Sequence, residues 1–230
     1  MKAPDKFKGF SNETFQFFRD LELNNCKPWF DEHKKIYEQE VLQPLRSLVV
    51  AMTPAMHSID SQMDFRPTKI VSRIYRDVRF SHDKSPYKTH MWVTFQRMTP
   101  QWESYPGFFM EIGGNSYQYG MGLFAPKKKV MDAFRSKVEY EQDQFKKITQ
   151  DLATKHGFTL GGEEYKRPLS NELPAYFQNW IQRKSIYLLK QCPLGKELFD
   201  EGFAQHMANE FTLTQPLYEF LLDASEDAIE

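Results

Sequence analysis

The chain has 230 residues, 40% of them hydrophobic, and 30 basic against 31 acidic side chains leave a net charge of −1. That length suits one domain with a sizeable core, and the near-zero charge excludes a whole-protein basic field for nucleic acid or anionic lipid. Two cysteines, Cys26 and Cys192, make neither a disulfide framework nor a zinc cluster, and no apolar run approaches a membrane span or a signal segment, so a soluble, reduced, cytoplasmic protein is expected.

Residues 1–9 are basic and polar. Ser11 or Asn12 is placed to cap a short helix whose apolar side is Phe15, Phe18 and Leu21, and Asn24-Asn25 should end it in left-handed backbone. Pro28 suits the first turn of a longer helix whose buried face is Phe30, Tyr37, Val41, Leu45, Leu48 and Met52. Pro44 lies inside that pattern and should kink the helix, because it lacks an N–H and crowds the carbonyl of Glu40. Trp29, His33 and Tyr37 fall four apart on an adjacent face, which either packs on the sheet or walls a pocket. Residues 53–68, marked by Pro54 and Pro67, read as a connector.

Strands are expected at residues 70–75, 91–96, 108–112 and 116–123, the last two joined by the hairpin signal Gly113-Gly114-Asn115. In the final arm Gly120 and Gly122 share one face, where a missing side chain admits another backbone, a ring or a ligand. Pro126 opens a helix carrying Val130, Phe134 and Val138, which continues past a break near Tyr140 through Phe145, Ile148 and Leu152 to Gly157. Residues 158–173 read as loop or edge structure, 174–180 as a short helix, 183–190 as a last strand, 195–222 as helix and 225–230 as an acidic tail. Helices, then strands with tight turns, then helices imply an α+β fold. The expected architecture is a central antiparallel sheet, with a mixed sheet as the alternative, packed by N- and C-terminal helices in one domain with its core at about 10–224.

The chemistry concentrates between Lys69 and His90. Lys69, Arg73, Arg76, Arg79, Lys84 and Lys88 face only Asp77 and Asp83 there. In extended backbone Arg73, Tyr75, Asp77 and Arg79 point one way, and Ile74, Val78 and Phe80 point the other with Arg76 among them. Asp77 can hold an arginine through a bidentate pair, while Lys84 and Lys88 arrive from a turn fixed by Ser85-Pro86. Arginine for planar recognition with lysine as a point charge suits phosphate or carboxylate. The S-x-x-K spacings at Ser81–Lys84 and Ser85–Lys88 would need a helix to bring lysine to serine, and Pro86 opposes one. The six histidines show no metal-ligand spacing, and no glycine-rich phosphate loop or dinucleotide fingerprint occurs, so no metal or cofactor is expected.

The string R-I-Y-R-D-V-R-F-S-H-D-K-S-P-Y-K-T at residues 73–89 resembles the signature of a widespread bacterial and fungal family known only as a conserved domain of unknown function. The resemblance extends over about residues 10–224, through N-N-x-x-x-W-F at 24–30, K-R-P at 166–168 and P-L-x-x-F-L at 216–221. It implies a single α+β domain and no assigned activity, cofactor or partner. It places the family's repeated residues on Asn25, Trp29, Arg73, Arg76, Asp77, Arg79, Ser81, Asp83, Lys84, Pro86, Tyr87 and Lys88. The stretch around Ser170 departs from the glycine-containing loop expected there.

Three readings follow. In the first, Arg73, Arg79, Lys84 and Lys88 hold a small anionic ligand, Asp77 orients an arginine, and Tyr87, Trp29 and Tyr37 line the apolar part; for an enzyme, Asp83 or Tyr87 is the acid or base. In the second, the charged strand docks an acidic protein partner, or simply faces solvent with its arginines paired to acids. Nucleic-acid binding is the least favoured, since basic and aromatic neighbours are its only support.

Overall fold

The computed structural model describes residues 6–79, 82–169 and 173–229; the readings made for residues 1–5, for Phe80 and Ser81 and for the stretch at Ser170 lie outside them. The fold is α+β, with an antiparallel five-stranded sheet in the order β1-β2-β3-β5-β4. The strands are β1 (His90–Gln96), β2 (Gly107–Gly113), β3 (Ser116–Leu123), β4 (Thr159–Gly161) and β5 (Ile186–Pro193). The edge strand β4 pairs antiparallel with β5 through Thr159↔Leu189, Leu160↔Leu188 and Gly161↔Tyr187. No described helix is long and apolar enough to cross a membrane.

The first helix, α1 (Asn12–Leu23), opens with a capping box: Thr14 N–H donates to Ser11 Oγ, and Ser11 N–H to Thr14 Oγ1, both at 3.2 Å. It does not end in left-handed backbone. Asn24 sits at φ −130°, and its side-chain amide donates to the Asp20 carbonyl at 2.9 Å, so the exposed carbonyl is satisfied without a positive φ.

The long helix forms as three pieces in continuous backbone: α2 (Lys27–Ile36), a π-helical turn (Tyr37–Leu42) and α3 (Gln43–Ile59). Its expected apolar face, Phe30 to Met52, is buried. Pro44 acts through the widened turn ahead of it, where Gln43 N–H reaches Glu38 O, five residues back. The Glu40 carbonyl, which proline cannot serve, accepts from Thr14 Oγ1 at 2.5 Å. Helix α3 then runs through Pro54, which shortens the expected connector; the carbonyl deprived there belongs to Val50, 44% exposed and open to water. The expected strand at 70–75 is instead the short helix α4 (Pro67–Ile70), followed by extended backbone with isolated bridges.

The chain divides into two compact units. One gathers residues up to Phe95 with 109–118 and 191–209. Its core holds two ring clusters, Phe7, Phe10, Phe15 and Phe203 in one, with the exposed ring of Phe199 at its edge, and Phe17, Phe30 and Tyr37 in the other. The other unit comprises 96–108, 119–190 and the chain from 210 onward. There α5 (Lys128–Tyr140), α6 (Gln142–Thr154), α7 (Ala175–Ile181) and α9 (Gln215–Ile229) pack Phe134, Phe145, Trp180 and Phe220 together. The break near Tyr140 occurs as expected, while residues 225–229 continue α9 instead of forming a tail. Helix α8 (Phe203–Leu213) precedes α9. A Cβ on Gly122 would stand 2.1 Å from the Ile186 carbonyl oxygen and 2.5 Å from Tyr187 Cα, so this bare face admits the backbone of β5 and not a ligand.

Candidate functional site

Residues 71–76 run antiparallel to 86–93 as an irregular extension of β1. Bridges join Val71 to Val93 and Tyr75 to Tyr87. Between them Ser72 N–H donates to Trp92 O (2.8 Å), Lys88 N–H to Ile74 O (2.8 Å) and Arg76 N–H to Pro86 O (2.9 Å). Two residues keep this from becoming a regular ladder. Pro86 has no N–H to return, and the Ser72 hydroxyl captures Trp92 N–H at 3.0 Å. The outer side of Tyr87 is held by Asn25, which takes Tyr87 N–H on Oδ1 (3.1 Å) and gives Nδ2–H to Tyr87 O (2.9 Å), as a neighbouring strand would.

Burial alternates along this arm as extended backbone requires: Arg73, Tyr75, Asp77 and Arg79 are exposed, while Ile74 is buried and Arg76 and Val78 are half-buried. The cations fall into two groups. At the tip, Arg79 Nε and Nη2 make a bidentate pair with Asp77 at 2.9 and 2.6 Å, which holds the Asp77 carboxyl down at about 2. Lys84 Nζ donates to the Val78 carbonyl at 2.9 Å. Asp83 accepts the Ser85 N–H at 2.9 Å and meets Arg76 Nη1 at 3.0 Å; these contacts, Ser85 first, lower its pKa.

Below the tip lies the second group, Arg73, Arg76 and Lys88. Lys88 is half-buried, donates to the Arg73 carbonyl at 2.9 Å and stands 4.2 Å from the centre of the Trp92 ring. Burial lowers its pKa first, and the charges of Arg73 and Arg76 lower it further. Among the described residues neither Arg73 nor Lys88 makes an ion pair with a carboxylate, although the charge of Arg73 helps to lower the Asp77 pKa. Arg76 Nε is buried with no hydrogen-bond acceptor, although Nη1 reaches Asp83 and Nη2 makes a long contact of 3.4 Å with Tyr87 O.

The aromatic residues sit beside this strap. Tyr87 stacks on Phe30 at 4.1 Å, Phe30 meets Tyr37 at 5.5 Å, and Tyr75, 59% exposed, lies 5.5 Å from Tyr87. Burial pushes the Tyr37 hydroxyl up to about 12, with Arg46 acting against the rise, and burial also raises Tyr87. Trp29 stacks on His33 at 4.0 Å and reaches Tyr37 only through Phe17. Thus Tyr37 and Tyr87 share one cluster with Phe30, and Trp29 stands one ring further away. Residues 85–88 are not helical, so Ser85 and Lys88 lack the geometry that an acylating pair requires.

Trp92 and the half-buried Arg76 were not among the candidate site residues. Alternation puts His90 and Trp92 on one face of β1, but the bend at Thr89 breaks the pattern before Lys88, so the sequence held no signal that Lys88 meets Trp92. Arg76 was visible as the one charged residue on a core-facing set.

A family model described as a conserved hypothetical protein, DUF2461, matches residues 13–220. No curated protein matches the sequence.

Proposed function

We propose that this chain, which belongs to the conserved hypothetical protein family DUF2461, binds a small phosphate- or carboxylate-bearing ligand on the strap formed by residues 71–79 and 83–88. One observation carries the reading. Lys88 is half-buried, its ammonium held on the Arg73 carbonyl and the Trp92 ring and opposed by the charges of Arg73 and Arg76, and among the described residues neither it nor Arg73 makes an ion pair with a carboxylate. Like charges repel more strongly as burial removes the water between them. Such an arrangement is costly unless something negative visits it. The unpaired Arg76 Nε–H adds a donor that the protein leaves unused.

In this reading Arg73 and Lys88 carry the anion and Arg76 supports it. Asp77 fixes Arg79 and Lys84 anchors the tip, both at its rim. Tyr87, Tyr37 and Trp29 form the apolar backing. A thermal-shift screen with phosphates, nucleotides and dicarboxylates tests it: at least one anion stabilises the protein, and Arg73→Ala and Lys88→Met abolish the shift. Absence of any hit across such a library refutes the reading. Docking of an acidic protein partner is the second reading, supported by the exposure of the Arg79–Asp77 pair and Lys84 at the tip. It requires salt-labile binding of an acidic peptide with no small-anion hit.

A further inference from the structure

The His90 end of β1 borders a groove of about 250 Å³, lined among others by Thr89, His90, Glu111, Asn115, Gln118 and Gln191. Two of its lining residues are a histidine and a carboxylate that do not touch. His90 Nε2 lies 3.9 Å from Glu111 Oε2, too far for a hydrogen bond. An oxygen about 2.8 Å from each fits between them, accepting from one and donating to the other as a hydroxyl does. Both groups are held in place. Gln118 Nε2 donates to the other Glu111 oxygen at 3.0 Å, and the His90 ring stacks on Trp92 with 5.8 Å between centres. Trp92 also receives Lys88 Nζ at 4.2 Å, so the indole joins the groove to the cationic strap.

We infer that the ligand is a polyhydroxylated anion, a phosphorylated or carboxylated polyol or sugar, with one hydroxyl bridging His90 and Glu111 and its anionic end on Lys88 and Arg73. This rests on the anion-binding reading above and adds the identity of the rest of the ligand. Lys88 Nζ and the His90 ring lie 4.2 and 5.8 Å from the centre of the same Trp92 ring, so a five- or six-carbon polyol bearing an anionic group reaches both. The Glu111 carboxylate sets the direction, repelling the anionic end and accepting a hydroxyl. The remaining lining holds the amides and hydroxyls of Asn115, Gln191, Thr89 and Ser116, which suit further hydroxyl groups, and a second carboxylate, Glu22, which like Glu111 accepts hydroxyls and keeps the anionic end out of the groove.

The test is calorimetric titration of the intact chain with inorganic phosphate, acetate, glucose, glucose 6-phosphate and gluconate. The expected result is that glucose 6-phosphate or gluconate binds at least about tenfold tighter than phosphate or acetate respectively, and glucose more weakly than either. Whichever of the two is preferred identifies the anionic group. Glu111→Gln keeps the oxygen that Gln118 bonds, and His90→Phe keeps a ring on Trp92. Each variant should remove the tenfold advantage and leave phosphate affinity unchanged. An equal affinity for the hydroxylated and simple anions, or an advantage untouched by both variants, overturns this inference while the anion site stands. No binding by any anion overturns the underlying reading and this one with it.

Discussion

Replacing Thr14 by valine removes one hydroxyl from a fully buried position and leaves the shape of the side chain almost unchanged. That hydroxyl donates to the Glu40 carbonyl at 2.5 Å and accepts the Ser11 N–H at 3.2 Å. The carbonyl cannot turn to the residue four positions on, because Pro44 has no N–H. An unsatisfied buried carbonyl costs about 1–3 kcal/mol and a broken capping box about 0.5–2 kcal/mol, so Thr14→Val should cost roughly 3 kcal/mol. For a chain of this size that is a fall of about 6–12 °C in the melting midpoint. The Pro44→Ala background supplies the missing N–H, so the same substitution made there should cost about 1 kcal/mol less. Urea unfolding followed by far-UV circular dichroism reads both numbers. A Thr14→Val cost under about 0.5 kcal/mol, or strict additivity with Pro44→Ala, would refute the claim that threonine serves the carbonyl that proline abandons.

Asp77, held at about 2 by Arg79, should titrate well below an ordinary aspartate by carboxyl NMR and return toward 3.8 in Arg79→Ala. Its depressed folded value means that its contribution to stability is present above pH 3.8 and is lost as pH falls through about 2. Gly122→Ala would drive a Cβ to 2.1 Å from the Ile186 carbonyl oxygen, so β3 and β5 must part and the midpoint should fall by several degrees. Gly113→Ala, whose nearest contact would be 3.6 Å, serves as the tolerated control; equal effects in the two variants would contradict the close approach. Asn25→Leu removes both bonds that clamp Tyr87 and should weaken anion binding about tenfold although no cation is altered, as a phosphate titration of the variant will show. Unchanged affinity would mean that the clamp does not position the strap.

The α+β order of elements was legible because hydrophobic spacing settles which faces are buried: Phe15, Phe18 and Leu21 in α1, and Phe30 to Met52 in the long helix. Prolines were the main source of error. Pro54 and Pro67 read as bounds of a connector, yet Pro54 sits inside α3 because the carbonyl it deprives belongs to exposed Val50, and Pro67 opens α4. The strand expected at 70–75 failed for a different reason. Its first residue closes a helical turn, and further along Ser72 and Pro86 interrupt the ladder that alternation alone would have built. Alternation still sorted Arg73, Asp77 and Arg79 from Ile74 correctly, since it needs extended backbone and not a complete set of bonds. What a one-dimensional pattern could not assign was pairing. That Asp77 makes its bidentate pair with Arg79 and meets Arg73 only through charge, and that Lys88 turns onto Trp92, are facts of distance. The His90–Glu111 gap was invisible for the same reason, because it joins residues of adjacent strands.

The claim on which the functional reading turns is that Lys88 carries an uncompensated charge. In the window between its lowered folded value and 10.5 the unfolded chain binds more protons, so this group's contribution to stability rises with pH there. NMR titration of the Lys88 side chain, alone and with pyrophosphate, measures it most directly. The account predicts a midpoint below 10.5 in the protein alone, moving up when the anion is added and when Arg73 is replaced by alanine. A lysine that titrates at 10.5 and ignores both would contradict it.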